Sequence, residues 1–323
     1  MRVLITGGSG FIGTNLVSAY LSNGGNVELL NLDRKAPFIP AHAKFWRQHD
    51  FLDAAATLSV VREFQPQVVI HLAARADCDE DTTLEKGYPD NTVAVSNLLA
   101  AVRQTSSIRR LVVTSTQYVF RPAGARMPAD DLDYDPHTIY GQSKVITEEL
   151  TRSAALDCSW LIIRPTTVWG PWCLRYKEGF LKVLKKGLYF HPNVGECVRS
   201  YGYVGNVCWQ IQELVKRPDS DVHAQAWYVG DRPTALERWV NAFSQALTGK
   251  NVKKCPLPLM QMLARYGDLH LRLFGKRFLM DTTRLGSMIE DYMTPMEKTF
   301  RLLGEAPYSL DEGVKATVDW VNS

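Results

Sequence analysis

Short apolar runs alternate with longer amphipathic segments along the first 170 residues of the chain. The runs are rich in Val, Ile and Leu, which is typical of strands that are buried on both faces. The segments between them carry apolar residues at helical spacing. The predicted strands are 3–5, 27–33, 45–47, 67–74, 111–116 and 160–165, and the clearest predicted helices are 11–21, 91–104 and 140–155. Strands that alternate with helices predict an α/β fold with a parallel, doubly wound sheet of the Rossmann type.

After residue 170 the alternation loosens, and Pro, Gly, Trp and Met become more frequent. We therefore predict two domains. The larger one covers 1–170, and 201–230 return to it. A smaller, mostly helical cap that binds substrate is predicted over 171–200 and 231–323.

The first strand runs into a glycine-rich turn, and a helix opens there at Phe11 and Ile12. Gly7, Gly10 and Gly13 give the spacing Gly-x-x-Gly-x-x-Gly. The first two glycines let the backbone turn sharply and approach a ligand, and the third lets the helix pack closely on the strand. The helix N-terminus offers unpaired N–H groups and a partial positive charge to a pyrophosphate. This strand–turn–helix context predicts a dinucleotide site at the N-terminus of the chain.

The second predicted strand ends in Asp33, twenty residues beyond Gly13. A carboxylate at this place can accept hydrogen bonds from the adenosine ribose of NAD, and it repels the 2′-phosphate of NADP. Arg34 follows directly and could pair with such a phosphate. We expect NAD, with NADP as the alternative.

Two further stretches are predicted to contact the cofactor. Asp50 and Phe51 follow the third strand, where they could hold the adenine. The strand at 67–74 ends in residues that let the cofactor backbone approach closely, and these are Leu72, Ala73 and Ala74. We expect His71, just before them, to be a hydrogen-bonded structural residue.

Composition changes this picture little. Of the 323 residues 46% are hydrophobic and 22% charged, which is typical of a globular protein, and the net charge of +3 is too small to indicate nucleic acid binding. The six cysteines are scattered without a Cys-x-x-Cys pair, so we expect reduced thiols and no metal site. Because the chain opens directly in a predicted core strand, we expect a cytoplasmic protein.

Tyr140 and Lys144 lie four positions apart on a predicted helix, so their side chains share a face. Lowering the pKa of a tyrosine from about 10 to neutrality requires about 4 kcal/mol. One cation at about 4 Å supplies an energy of that order at an effective dielectric constant near 20. A lysine at this spacing can therefore make the tyrosine a base. Thr116 precedes them at the same sheet edge and could orient the substrate oxygen for hydride transfer.

Several short motifs together resemble one enzyme family. They are Thr6-Gly7-x-x-Gly10-x-x-Gly13, His71-Leu72-Ala73-Ala74, Ser115-Thr116, Tyr140-x-x-x-Lys144 and Arg164-Pro165. Over roughly residues 1–210 the chain resembles the extended short-chain dehydrogenase/reductases of the NAD-dependent epimerase/dehydratase family, which act on nucleotide sugars. The resemblance implies that Thr116, Tyr140 and Lys144 form the catalytic triad. Tyr140 and Lys144 also belong to the predicted cofactor contacts, which Asn91, Thr114 and Pro165 complete.

Departures from the family pattern reduce the number of reactions that the chain is expected to catalyse. The 4,6-dehydratases carry Asp-Glu after the catalytic threonine, whereas this chain has Gln117 and Tyr118, which we predict to contact substrate. The stretch 115–120 looks more like that of deoxysugar 4-ketoreductases. We therefore expect redox chemistry at a sugar carbon, most simply C4, of a nucleoside-diphosphate sugar, with a 4-ketoreductase favoured slightly over a 4-epimerase.

Two alternative functions remain possible on the sequence alone. Some steroid dehydrogenases of the same superfamily have an asparagine where this chain has Asn206, which keeps a steroid or small-ketone substrate possible. A non-catalytic dinucleotide sensor is the rival from another class, but it would not need Thr116, Tyr140 and Lys144 together.

The predicted cap carries the remaining candidates. Arg199 lies where the family places an arginine on the nucleotide diphosphate, and Arg175 is a weaker candidate for substrate binding. The stretch 250–277 is both basic and apolar. We interpret it as a cap helix whose apolar side is core and expect no membrane association; a helix lying on an anionic membrane surface is the alternative.

The helices predicted at 91–104 and 140–155 should lie side by side. In the family such helices pair across a two-fold axis. We therefore expect a homodimer.

Overall fold

The computed structural model describes residues 1–22, 26–121, 126–275 and 278–323. The described chain divides into two compact units. The larger unit comprises Met1–Val168, Gly202–Asp231 and Pro295–Pro307. The smaller unit comprises Trp169–Tyr201, Arg232–Thr294 and Tyr308–Ser323.

The secondary structure alternates between strands and helices through most of the larger unit. The strands are β1 Arg2–Thr6, β2 Glu28–Asp33, β3 Trp46–Gln48, β4 Val68–His71, β5 Arg110–Thr114, β6 Ser159–Pro165, β7 Thr167–Trp169, β8 Phe190–Asn193, β9 Val198–Arg199, β10 Tyr201–Tyr203, β11 Ala226–Val229, β12 Thr234–Ala235 and β13 Lys253–Pro256. The helices are α1 Phe11–Ser22, α2 Ala54–Phe64, α3 Leu84–Gly87, α4 Pro89–Arg103, α5 Ile139–Ser153, α6 Leu174–Tyr176, α7 Lys182–Lys185, α8 Val204–Lys216, α9 Asp219–Val222, α10 Leu236–Thr248, α11 Leu257–Phe274, α12 Thr282–Ile289, α13 Glu297–Leu303 and α14 Leu310–Asn322.

Within the described residues, seven strands form one sheet in the order β11-β6-β5-β4-β1-β2-β3, and each pair of neighbours is parallel. Every residue of β4, β5 and β6 is buried, which explains their unbroken apolar runs. The strand order reverses between β1 and β4, which is where ligands bind in open α/β sheets. The predicted doubly wound parallel sheet is confirmed.

Strands end earlier than their apolar runs suggest. β4 stops at His71 and β5 at Thr114, so Ala73 and Thr116 lie in the loops beyond the carboxyl ends. Side chains fix the starts of the helices that follow: Thr138 accepts a hydrogen bond from Gly141 N at 2.9 Å and begins α5. The strand ends and the first turns of these helices form the edge at which the candidate site lies.

A buried ion pair fastens α5 to the sheet. The Arg164 guanidinium donates to both oxygens of Glu148, from Nε to Oε1 at 2.8 Å and from Nη2 to Oε2 at 2.7 Å. Both side chains have no solvent exposure. Tyr134 donates to Glu148 Oε2 at 2.9 Å, and Arg164 Nη2 also donates to Asp131 O at 2.7 Å. These hydrogen bonds compensate for the loss of water around both charges.

The smaller unit has its own core, which is built around aromatic residues. Trp239 stacks on Tyr201 at a centroid distance of 4.4 Å and contacts Phe180 and Phe243 at 5.0 and 4.9 Å. A second cluster joins β13, α11 and α12 through Cys255, Met260, Ala264 and Leu285. Two short ladders, β8 with β13 and β9 with β12, complete this unit.

The interpretation of the apolar stretch at 250–277 as core is wrong for most of its residues. Of the apolar side chains that led to this interpretation, Met260 is buried at 2% exposure and Leu257 is half-buried, while the others are 39% to 66% exposed. Those exposed ones are Leu259, Met262, Leu263, Leu269, Leu271, Leu273 and Phe274. The physical reason is that β13 and α12 cover only one side of α11. Lys276 and Arg277, which belong to the same predicted stretch, lie outside the described residues.

Spanning a bilayer needs a long, strongly apolar helix, and none occurs in the part of the chain that the structure describes.

Removing one partner of the buried ion pair should destabilise the larger unit strongly. In Glu148→Ala the Arg164 guanidinium stays buried without its carboxylate, so we expect a loss of about 3–5 kcal/mol in the free energy of unfolding. The double variant Glu148→Leu/Arg164→Met should lose less free energy of unfolding, because it removes both charges and leaves neither buried alone. Urea unfolding followed by circular dichroism measures both; a loss below about 1 kcal/mol for the single variant would contradict the assigned role.

Candidate active site

The glycine-rich turn between β1 and α1 is packed too tightly for side chains. Gly7 adopts a φ of +71°, and a Cβ there would lie 2.6 Å from Ala73 N. A Cβ on Gly13 would lie 2.1 Å from Gly7 O, so the first turn of α1 rests directly on the loop. Gly10 N donates to Gly7 O at 3.0 Å and closes the turn. The backbone N–H groups at the start of α1, at Phe11 and Ile12, follow at once, which is the geometry of an anion-binding cradle.

The two residues predicted to select the cofactor have different surroundings. Asp33 accepts hydrogen bonds from Ser9 N at 3.1 Å and from Lys35 N at 2.9 Å, which holds its carboxylate beside the glycine turn. Arg34 instead forms an ion pair with Asp90 in the first turn of α4. Since the guanidinium already has a carboxylate partner, it is less able to bind a 2′-phosphate, and this arrangement favours NAD.

The loop after β4 is tied to the first strand. Thr6 Oγ1 lies 2.7 Å from His71 Nδ1 and accepts from Ala73 N at 3.2 Å. His71 is 1% exposed, and burial, with a smaller contribution from the nearby charge of Lys144, lowers its pKa to about 3. As expected, His71 is a neutral, hydrogen-bonded structural residue. Leu72 N donates to Thr6 O at 3.0 Å, and the backbone of Leu72 and Ala73 lies against Gly7; Ala74 follows in the same loop.

Other predicted cofactor residues have structural partners. Phe51 is 6% exposed in the core, its ring 4.6 Å from that of His49, so only its backbone can face a ligand. Asp50 Oδ1 accepts from Leu52 N at 3.0 Å. Asn91 is fully buried, and its amide donates to Arg75 O and Ser143 Oγ at 3.0 and 2.8 Å.

Asn91 thus links the loop after β4 to α4 and α5. This makes it a positioning residue for the candidate site.

The structure brings the three predicted catalytic residues together at the carboxyl end of β5. Tyr140 and Lys144, on the first two turns of α5, are 7% and 1% exposed. The Thr116 side chain lies beside the Tyr140 hydroxyl and favours its ionised form. Lys144 Nζ donates to Thr114 O at 2.8 Å, which fixes the ammonium at the end of the strand.

Burial dominates the electrostatics of this cluster. It raises the pKa of Tyr140 above its usual value, against a smaller lowering by the side chain of Thr116. Burial also lowers the pKa of Lys144 to about 7, although the charge of Glu148 acts in the opposite direction. The expected lowering of the tyrosine pKa by lysine is therefore not found in the chain alone, because burial outweighs the contacts that favour the phenolate.

Sequence reasoning missed the role of Gly141. A Cβ on this residue would lie 2.4 Å from Tyr118 O, so α5 can approach the short 3₁₀ turn Gln117–Val119 only because the residue after Tyr140 is a glycine. That approach brings Tyr140 to Thr116, which caps the same turn by accepting from Tyr118 N at 3.3 Å. The adjacent pair Tyr140-Gly141 was the signal in the sequence.

The predicted substrate residue Gln117 lies within the larger unit. Its Nε2 donates to Thr167 Oγ1 at 2.8 Å, and it is 2% exposed. Tyr118 is half-buried, with its ring 6.3 Å from that of Tyr140.

Three buried polar atoms near the end of β5 have no hydrogen-bond partner among the described residues, and these are Thr114 Oγ1, Ser115 Oγ and Gln117 Oε1. A polar ligand at this sheet edge would satisfy them, and with the glycine cradle they fit a dinucleotide. Pro165 ends β6 beside Val229 of β11.

The remaining substrate candidates, Arg199 and Arg175, lie in the smaller unit. Arg199 Nη1 donates to Ser287 O and Glu290 O at 2.9 and 3.0 Å, so it satisfies carbonyl groups at the end of α12. Arg175 is exposed on α6. Asn206, which had kept a steroid substrate open, is 2% exposed and donates to Asp231 Oδ1 at 2.7 Å. Arg199 and Asn206 thus each have a structural partner.

Freeing Arg34 should broaden cofactor choice. In Asp90→Ala the guanidinium loses its carboxylate, so we expect NADP(H) affinity to rise about threefold to tenfold relative to NAD(H), as suits one charged contact at a partly exposed site. Titration of both cofactors into cofactor-free protein measures the ratio. The double variant Arg34→Ala/Asp90→Ala is the control, and its NADP(H) affinity relative to NAD(H) should return to the wild-type ratio or below. If the gain persists without Arg34, the ion pair does not decide the preference.

The chain is similar in sequence to proteins of named activity. The chain is 26% identical over 328 residues to N-acetyl-alpha-D-glucosaminyl-diphospho-ditrans,octacis-undecaprenol 4-epimerase of Escherichia coli O157:H7, covering 99% of this chain and 95% of the relative. It is 30% identical over 184 residues to the 3 beta-hydroxysteroid dehydrogenase/Delta 5-->4-isomerase of Mycobacterium tuberculosis (strain CDC 1551 / Oshkosh), covering 52% of this chain and 47% of that one.

The fold is similar to that of the UDP-glucose 4-epimerase of Thermus thermophilus, solved in complex with NAD. The TM-score is 0.72 at 23% identity, over 100% of this chain and 99% of the other. The sequence model of one family, described as the NAD dependent epimerase/dehydratase family, matches residues 3–230, which is more than half of the chain. The chain therefore belongs to the NAD-dependent epimerase/dehydratase family, as its motifs had indicated.

Proposed function

We propose that this protein is an NAD-dependent 4-epimerase, which inverts C4 of a sugar linked to a diphosphate. The observation that carries the proposal is the nearly full-length similarity to the E. coli relative, whose name states this reaction on a diphosphate-linked sugar. Membership of an NAD-dependent epimerase/dehydratase family supports the kind of chemistry.

In this proposal Tyr140 is the residue that moves the proton. Its phenolate oxygen would take the proton of the sugar C4 hydroxyl when that carbon is oxidised. The resulting phenol would return the proton to the same oxygen when the carbon is reduced on its opposite face, so Tyr140 ends as a phenolate again. Thr116, beside Tyr140, would orient the C4 oxygen. Lys144, held by Thr114 O, would contact the nicotinamide ribose and would contribute positive charge when protonated.

The glycine cradle and Asp33 would hold the cofactor. Gly7, Gly10 and Gly13 would let the diphosphate approach the backbone, and Asp33 would accept hydrogen bonds from the adenosine ribose. Bound NAD supplies a hydride acceptor and a positively charged ring. A positive charge beside Tyr140 opposes the effect of burial on its pKa, which the side chains around it do not do sufficiently.

A 4-ketoreductase is the second candidate, and one observation favours it. The sequence from Ser115 to Phe120 resembles the corresponding stretch of deoxysugar 4-ketoreductases, with Gln117 in place of an aspartate. The Gln117 amide, however, donates to Thr167, so the side chain that carries the resemblance has an internal partner. We therefore place the epimerase first, although the sequence alone favours the reductase slightly.

The smaller unit is proposed to bind the substrate, with Arg175 as an exposed cation available to its diphosphate. The homodimer that was expected to form through α4 and α5 stays a prediction.

Substitutions in the triad should separate proton transfer from cofactor binding. Tyr140→Phe keeps the ring but removes the proton carrier, so turnover should fall by roughly 10² to 10⁴ while NAD affinity changes little. Thr116→Val should cost less, because Tyr140 remains. Lys144→Ala should reduce both turnover and NAD affinity. Steady-state kinetics with cofactor titration measures these effects, and a Tyr140→Phe enzyme within a few-fold of the wild-type rate would remove the basis of the assignment.

The direction of the chemistry can be tested without added reductant. An epimerase returns the hydride to the sugar it came from, so it should convert a substrate to its C4 epimer with no net change in nicotinamide absorbance. We would supply UDP-N-acetylglucosamine and undecaprenyl-diphosphate N-acetylglucosamine in separate reactions and identify the products by NMR. Conversion of either one supports the proposal and identifies the group on the diphosphate. Consumption of one reduced cofactor per sugar would favour the reductase, and no conversion of either would leave the epimerase proposal without support.

A further inference from the structure

Helix α11 has two apolar faces. The buried face packs through Met260, Ala264 and Gly267, and a Cβ on Gly267 would lie 1.8 Å from Met280 O. The helix is therefore fastened closely to its own unit. Other apolar residues of α11 recur at 259, 262, 263, 266, 269, 273 and 274, the spacing of a second helical face.

That second face is open to solvent along the whole helix. Met262 is 61% exposed, Leu269 51%, Leu273 66% and Phe274 65%. Tyr266 is 53% exposed and packs against the Phe278 ring at a centroid distance of 5.3 Å, so the surface continues past the end of the helix. An apolar stripe eighteen residues long is about 27 Å in length. Contiguous patches of this kind mark an interaction surface.

The charges beside this face are nearly all positive. One polar residue of α11, His270, lies within the second face, where its ring contacts that of Phe274 at a centroid distance of 4.9 Å. The other polar residues form one narrow stripe, which contains Gln261, Arg265, Asp268 and Arg272. Asp268 accepts from Thr282 N at 3.2 Å, which leaves the two arginines as the charges facing outward. Both arginines are exposed and lack an ion-pair partner within the described residues.

Lysines continue the positive charge at the start of the helix. Lys250 and Lys253 are exposed just before α11, whereas Lys254 is paired with Glu237 at 2.9 Å. From 250 to 275 the sequence has five cations and one carboxylate. An apolar stripe flanked by cations is complementary to an anionic lipid bilayer, into which the apolar side chains insert while arginine and lysine reach the headgroups.

We propose that α11 docks this protein on the surface of an anionic membrane. The helix would lie in the plane of the interface, with Leu259, Met262, Leu263, Tyr266, Leu269, Leu273 and Phe274 inserted below the headgroups and Arg265 and Arg272 beside them. This inference stands on the exposure and charge of α11 alone and does not depend on the proposed reaction.

Vesicle flotation tests the proposal on the full chain. Wild-type protein should bind vesicles of phosphatidylcholine with phosphatidylglycerol at physiological salt, bind vesicles of phosphatidylcholine alone much more weakly, and be partly released by high salt. Met262→Gln/Leu273→Gln should lower the partition to anionic vesicles about tenfold or more, since two apolar side chains lose their transfer free energy. Arg265→Gln/Arg272→Gln should lower it by a similar factor.

Matched controls change the same residue types elsewhere on the surface. Leu52→Gln/Leu132→Gln replaces two exposed leucines, at 38% and 59% exposure, and should leave vesicle binding unchanged. Arg103→Gln/Arg301→Gln removes two exposed arginines and should also have no effect. Since all of these positions are exposed, thermal melting should be alike in every variant, and turnover with a water-soluble substrate should not change.

Three results would overturn the proposal. The first is an absence of vesicle binding, and the second is equal binding to neutral and anionic vesicles. The third is concentration-dependent self-association in light scattering that disappears in Met262→Gln/Leu273→Gln without any vesicle binding, which would assign the face to a contact between copies of this chain.

Discussion

The geometry of the candidate site depends on one buried charge pair. Glu148 lies one turn beyond Lys144 and two turns beyond Tyr140, so the three side chains share a face of α5. Both oxygens of Glu148 are bound by Arg164 of β6 in a fixed, bidentate geometry. A helix held in this way cannot rotate or slide against the sheet without breaking both hydrogen bonds. The pair thereby fixes where the tyrosine and lysine lie at the edge of β5.

Burial also acts on the ionisation of the tyrosine and the lysine. It raises the pKa of Tyr140 and lowers that of Lys144, because desolvation disfavours the phenolate and the ammonium alike. A base that is ionised only when a positive charge enters the site would react only after the cofactor has bound. The positive charge of the ligand would then offset the electrostatic cost of ionising the tyrosine. Lys144 binds its proton less tightly than it would in water, because burial lowers its pKa.

Local sequence predicted the parts of this protein that depend on local physics. The glycine turn, the apolar strands and the pair Tyr140–Lys144 follow from spacing and backbone sterics alone. What it could not give was the partner of each polar side chain. Arg34 and Arg199 looked like free cations, but Asp90 and the carbonyl groups at the end of α12 lie 56 and 88–91 residues away in sequence. Such partners are set by the fold, and a single sequence does not reveal them.

Helix α11 shows that a single sequence also does not reveal which apolar side chains the fold will bury. Periodicity establishes that a helix has apolar positions, but it does not say how many of them its own unit can cover. Here the polar stripe is so narrow that apolar residues occupy most of the circumference, while β13 and α12 contact only the side of Met260, Ala264 and Gly267. The remaining face gains nothing from folding. It gains free energy only by leaving water in some further association, and its flanking arginines favour a surface of negative charge. Helix α11 thus carries an apolar face that its own unit leaves outside the core.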